Sequence, residues 1–201
     1  ADSGRAVQSP IAWRLLNVRY VVFPGILPPT MGLTEVFRGQ QDIVYEFKAA
    51  LPRATLVPSF RIVPHDQQLA LFSDPASDPA EVTLLSEDPG VRPAPGGTVT
   101  IDEYGLNRVR LTSDTPGPSI VRLADLSFPG WGVTVDGKPA KSLTADYLVR
   151  AVAVPPGRHA VVWEFHDPAF ERGLWISILS FLAILGLYLV PRLLRAAPKA
   201  A

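Results

Sequence analysis

Eighteen consecutive residues near the end of the chain, Gly173 to Val190, carry no charge. As an α-helix this run spans about 27 Å, at ~1.5 Å per residue, which matches the hydrocarbon core of a bilayer. The helix is expected to begin earlier, at 168, because Asp167-Pro168 places a capping residue before a proline suited to the first helical position. Phe170 and Trp175 mark one end and Tyr188 the other, in the manner of interfacial aromatic belts. Pro191 follows, then Arg192, Arg195 and Lys199 with no acid among them, so the positive-inside rule puts the 191–201 tail in the cytoplasm and everything before 168 outside. A buried core helix is the competing reading, but its amphipathic period is missing.

This orientation requires a large polar segment to cross the membrane ahead of the helix. Ala1 to Gln8 is polar, and the apolar run Val18 to Phe23 is short and broken by Arg19, so neither reads as an export signal. Two expectations follow. The chain is the C-terminal piece of a longer polytopic membrane protein, or it was exported by a signal peptide since removed. Gly173, Ser177 and Ser180 recur along one side of the helix, a small-residue stripe expected to pack against upstream membrane helices.

Composition removes several function classes. The 201 residues hold 19 acidic and 19 basic side chains, so no charge excess points to nucleic acid. The absence of cysteine excludes disulfides, thiolate nucleophiles, zinc–cysteine sites and thiolate-bound copper. Twenty-one prolines and 15 glycines punctuate the remainder, as expected of many short strands joined by turns.

Along the chain, Ser9-Pro10 opens a short helix through Leu16, and Asn17 to Phe23 reads as a strand. Ile43 to Phe47, Thr55 to Val63 and Glu81 to Leu85 are further strand candidates, with a helical turn or two over His65 to Phe72. Asp74-Pro75 and Asp78-Pro79 mark a loop. Residues 88–97, rich in Pro and Gly, form the clearest loop and the expected internal boundary. Beyond it, period-two alternation is plain in Val99 to Tyr104, Arg108 to Leu111, Trp131 to Val135 and Val161 to His166, and Asp136-Gly137 is a type I′ hairpin signal. The predicted fold is mainly β: an antiparallel β-sandwich over 98–166, a smaller N-terminal α+β part over 1–87, and one C-terminal transmembrane helix over 168–190.

Several groups of residues together resemble the C-terminal part of YfhO-type bacterial membrane proteins. They are Leu15-Leu16-Asn17-Val18-Arg19-Tyr20, Leu51-Pro52-Arg53-Ala54, Phe128-Pro129-Gly130-Trp131 with Val135-Asp136-Gly137, and the run from Leu148 through Val154-Pro155-Pro156-Gly157-Arg158-His159 to Phe165. Their order and spacing match over roughly residues 10 to 190. Phe128 stands where a tyrosine is more usual, and the 88–97 loop is lineage-specific. The family is similar to glycosyltransferases of the C superfamily, which use polyprenyl-phosphate sugars at the external face of the bacterial inner membrane. The resemblance implies membrane lipid, other membrane helices and a polyprenyl-linked sugar or envelope glycan as partners. It implies an accessory role for this region, since the catalytic acid is expected in an external loop near the family's N-terminus.

No catalytic residue, metal site or cofactor is assigned. His159 and His166 are seven apart on one strand and project to opposite faces. Asp102 and Glu103 are adjacent on a strand and face apart, unlike a paired-carboxylate site. No Gly-x-Ser-x-Gly or phosphate-binding loop is present. The candidate ligand-binding residues are Tyr104, Tyr147, Trp131, Arg19 and Arg53. Tyr104 and Tyr147 are the aromatics expected at exposed strand ends, whereas Trp131 reads either as a sugar-stacking platform or as a core residue. Arg19 and Arg53 suit a pyrophosphate or carboxylate, or plain surface packing. Asp125 and Arg150 each share a strand face with apolar residues, so the two are expected to pair with each other or to lie at the sandwich edge.

Overall fold

The computed structural model describes residues 10–71, 74 and 78–196, with side chains through 189. Ser9, Pro75 and the 197–201 end of the basic tail lie outside the described residues, as do the side chains of Arg192 and Arg195. The chain divides into two units, one ending at Phe165 and one beginning at His166.

The first unit is mainly β. Helix α1 (Pro10–Leu15) leads into a three-stranded antiparallel sheet of order β1-β3-β2, made of β1 (Tyr20–Phe23), β2 (Leu33–Arg38) and β3 (Ile43–Phe47). Strand β2 was not anticipated from sequence. Its register slips between Glu35 and Phe37, and a bulge erases the period-two pattern by which a strand is recognised. The expected strand over 55–63 is two short ones, β4 (Ala54–Leu56) and β5 (Phe60–Ile62), with Pro58 between them. Helix α2 (His65–Leu71) and β6 (Thr83–Leu85) complete the stretch before the 88–97 loop.

After that loop come β7 (Thr98–Tyr104), β8 (Arg108–Thr115), β9 (Ser119–Leu126), β10 (Trp131–Val135), β11 (Lys138–Ala140), β12 (Leu143–Ala145), β13 (Val149–Val154) and β14 (Gly157–Phe165). They form two sheets, of order β11-β10-β14-β8-β7 and β4-β9-β13-β12-β6-β5. Every pairing is antiparallel except β5 with β6. The six-stranded sheet draws β4, β5 and β6 from before the 88–97 loop and β9, β12 and β13 from after it, so that loop is internal to the unit and does not divide its core.

One core fills the space between these two sheets, with Val109, Leu111, Val133, Val161 and Trp163 from the five-stranded sheet meeting Ala54, Val121, Leu123, Val152 and Val154. A second core lies on the other face of the six-stranded sheet, where Ile120, Leu143, Val149 and Ala151 pack with Leu15, Val57 and Leu69. Strands buried on both faces lose the alternation of half-exposed ones, and Ser119 to Leu123 are all buried. At the far end of β10, Asp136 (φ 51°) and Gly137 (φ 75°) make the two-residue hairpin to β11, both with the positive φ that a type I′ turn requires.

At that hairpin the Nδ1 atom of His159 lies 2.6 Å from an Asp136 carboxylate oxygen. The contact raises the imidazole above its ordinary 6.5 and lowers the Asp136 carboxyl below 3.8. The stabilisation linked to charged His159 is therefore present below pH 6.5 and fades as pH rises through the raised folded-state value. The share linked to Asp136 is present above 3.8 and fades as pH falls through its lowered one. In an NMR titration His159 should show a midpoint above 6.5 that Asp136→Asn returns towards the ordinary value. An unmoved midpoint would refute the contact.

The second unit is helix α3 (Pro168–Ala196). The carboxylate of Asp167 accepts hydrogen bonds from the backbone N–H groups of Ala169 (2.9 Å) and Phe170 (3.2 Å), closing the helix start as its sequence requires. Pro168–Leu189 is a 22-residue stretch long and apolar enough to cross a membrane, with a mean hydropathy of 1.8. None of its most apolar window is buried.

Candidate functional site

The two sheets of the sandwich part at one end and open a cleft of about 350 Å³. Strand register defines that end: Trp131 pairs with Phe165, Arg108 with Glu164 and Tyr104 with Val109, while Val135 and Gly157 sit at the opposite end. Tyr104 reaches the cleft from edge strand β7, Asp125 from β9 and Arg150 from β13, and Arg53, just before edge strand β4, bonds to the first two. Residues far apart in sequence thus converge where the edges of the two sheets meet.

Asp125 is the hub. Its Oδ1 accepts hydrogen bonds from Arg53 Nη1 (2.8 Å) and the Tyr104 hydroxyl (2.9 Å), and its Oδ2 accepts one from Arg150 Nη2 at 3.2 Å. The Tyr104 oxygen in turn accepts from Arg53 Nη1 at 2.8 Å, and the Arg53 guanidinium lies 5.0 Å from the Tyr104 ring centroid. Two guanidinium groups share one carboxylate, so the cluster keeps a net positive charge. Burial, and then the bond to Asp125, push the Tyr104 hydroxyl above its ordinary value. Burial lowers Arg150, and the charge of Asp125 opposes that shift.

Arg150 is the least ordinary member. Its side chain is only 4% exposed, and its Nε and Nη1 have no hydrogen-bond partner. Its guanidinium carbon stacks 3.9 Å from the Trp131 ring centroid, a cation–π contact that offsets part of its desolvation. Trp131 is half-buried, packs against the inter-sheet core and lies 5.6 Å from the Phe165 ring. One face of its indole is thereby taken by Arg150 and is not open to a sugar ring. At the mouth of the cleft three apolar side chains face solvent: Leu106, 95% exposed in the β7–β8 turn, Leu126 at the end of β9 and Phe128 beyond it.

The other two residues singled out from sequence lie elsewhere. Arg19 is exposed, 3.2 Å from Glu46, beside a separate hollow lined by Asn17, Lys48 and Leu51. Tyr147 is half-buried, with φ of 73°, and its ring stacks on His65 at 4.5 Å, so it is part of the packing at the α2 side. Of the seven candidates, the structure brings Tyr104, Asp125, Trp131 and Arg150 into the lining of one cleft, with Arg53 bonded to Tyr104 and Asp125 beside it.

Sequence reasoning missed a second polar cluster, on the far face of the six-stranded sheet. Arg122 donates from Nη1 to Asp146 (2.9 Å) and Thr83 (3.0 Å) and from Nε to Thr55 (3.2 Å), and both charged side chains are buried. Asp146 also accepts the backbone N–H of Leu84 at 2.7 Å. Burial pushes its carboxyl up, against the pull of Arg122. A charged residue inside the apolar run Ile120 to Leu123 was the available signal. With every group engaged in tying β4, β6, β9 and β12 together, the cluster is structural. Among the described residues no group of three or more His, Asp or Glu is placed to hold a metal ion.

Searches of protein-family models, of curated proteins and of solved structures returned no match to the chain.

Proposed function

We propose that this chain is the non-catalytic external module and last membrane helix of a polytopic bacterial membrane protein, one resembling the polyprenyl-phosphate-sugar glycosyltransferases of the cell envelope. The observation that carries the accessory role is the state of Asp125. Both of its oxygens are engaged by Arg53, Tyr104 and Arg150, so the carboxylate is occupied in tying neighbouring chain segments together. The apolar helix directly after the sandwich and the residue pattern from Leu15 to Phe165 support placement in that family. The cleft favours a second reading, a self-standing single-pass binding or assembly module exported by a removed signal peptide.

The orientation is tested with reporters. A reporter fused after Lys199 should behave as cytoplasmic, and one inserted in the 88–97 loop as external. Reversed labelling overturns the proposal. Turnover of a polyprenyl-linked sugar by this chain alone overturns the accessory role.

A further inference from the structure

We infer that the cleft between the sheets is a binding site for the head group of a net-anionic phospholipid, entered past Leu106 and Phe128. The inference deepens the reading of the chain as a membrane-tethered module and rests on it. Three observations carry it, each made on the folded unit itself.

The first is charge. Arg53 and Arg150 share the single carboxylate of Asp125, so one positive charge stays uncompensated at the base of the cleft. Arg150 holds two donor nitrogens with no partner, although its side chain is almost entirely buried. Both guanidinium groups already draw on Asp125, so an anion arriving beside Arg53 adds the counter-charge that the cluster lacks. Arg53, whose side chain is 38% exposed, supplies the edge that a phosphate oxygen can touch directly.

The second is the mouth. A site for a free anion needs only polar walls, yet the rim here carries Leu106, Leu126 and Phe128, all exposed, with the exposed ring of Tyr104 behind them. A cationic base under an apolar rim complements an amphiphile, with its phosphate inward and its glycerol and chains along the rim. Tyrosine at such a boundary presents an apolar ring and a polar tip.

The third is connectivity. The N–H of Phe165, the last residue of β14, bonds the carbonyl of Asn107 next to Leu106, and Phe165 pairs with Trp131. Only His166 and Asp167 separate Phe165 from Pro168. The chain therefore leaves the sandwich for the apolar helix from the same end at which the cleft opens.

The chain has no cysteine, so single-cysteine probes report one position each. The full chain is placed in phosphatidylcholine nanodiscs with or without phosphatidylglycerol. An environment-sensitive fluorophore is attached at Leu106→Cys, at Phe128→Cys, or at Lys138→Cys on the opposite hairpin. Doxyl-labelled lipid should quench the first two and leave the third unchanged. Native mass spectrometry of the released protein should show phosphatidylglycerol retained over phosphatidylcholine. Arg53→Gln, a replacement at a part-exposed side chain, should cut that preference about fivefold, the effect of one basic group near an anionic surface. Equal quenching at all three positions, or equal retention of the two lipids, overturns the site. Displacement of the lipid by millimolar inorganic phosphate makes it a free-phosphate site and also overturns the inference. Loss of the lipid preference with the 88–97 loop still external would sink the lipid site alone, whereas a cytoplasmic 88–97 loop would sink the accessory reading.

Discussion

Arg122→Met is expected to destabilise the folded unit by about 3–5 kcal/mol, the range for removing one partner of a buried ion pair. The methionine fills similar volume, but Asp146 is left ionised or forced to protonate inside the sheet, and Thr55 and Thr83 lose their donor. A loss of that size should lower the melting temperature of the full chain in detergent by roughly 6–20 °C, read by near-ultraviolet circular dichroism. Asp146→Asn separates charge from shape. It keeps an acceptor for the Leu84 N–H yet leaves Arg122 unpaired, and should fall in the same direction. Unchanged melting for both variants would show that water reaches the pair and that it does not hold the sheet.

Gly97→Ala should be nearly as damaging. Gly97 sits at φ +102°, where a side chain is strained, and an added Cβ would meet the Asp114 carbonyl oxygen at 2.6 Å, the Thr115 Cα at 3.0 Å and Leu56 Cδ1 at 3.1 Å. Two of these three neighbours are backbone of β8 and cannot swing aside. Backbone strain and overpacking each contribute about 1–3 kcal/mol, so a total of about 2–6 kcal/mol is expected. The neighbouring Gly90→Ala has open space around its Cβ and carries only the strain of its φ of +74°. Denaturant midpoints of the two variants should differ clearly, and equal midpoints would refute the close approach at Gly97.

The contrast between these two glycines bears on what the amino-acid pattern reveals. The 88–97 segment reads from composition as a loop and boundary, yet its last residue is wedged between β8 and β4. Elements with one wet face were legible: Val109 and Leu111, Val161 and Trp163, the Asp136-Gly137 turn and the apolar helix all announce themselves by period or turn chemistry. Strand β2 was hidden by its bulge, and the span from Thr55 to Val63 was read as one strand although Pro58 divides it. Arg122, a charge inside the apolar run Ile120 to Leu123, stayed unremarked because a strand covered on both faces lacks the alternation that assigns each residue to a face.

The cleft was legible residue by residue. Arg53, Tyr104, Asp125, Trp131 and Arg150 were each singled out for type and position. Their assembly was not, because it depends on which edge strands of two sheets meet, and strand spacing along a chain does not encode sheet order.

The way the six-stranded sheet is drawn from both halves of the chain has a consequence for synthesis. Strand β4 leaves the ribosome about 70 residues ahead of its partner β9, and β6 about 60 ahead of β12, so long-range loop closure dominates the folding barrier. During that interval β4 lacks its partner and β6 has only β5, which leaves open edges, the condition in which nascent chains associate wrongly. The final strand, β14, pairs with both β8 and β10 and completes the five-stranded sheet only moments before the apolar helix emerges. The five-stranded sheet therefore closes as one of the final events of the unit's synthesis.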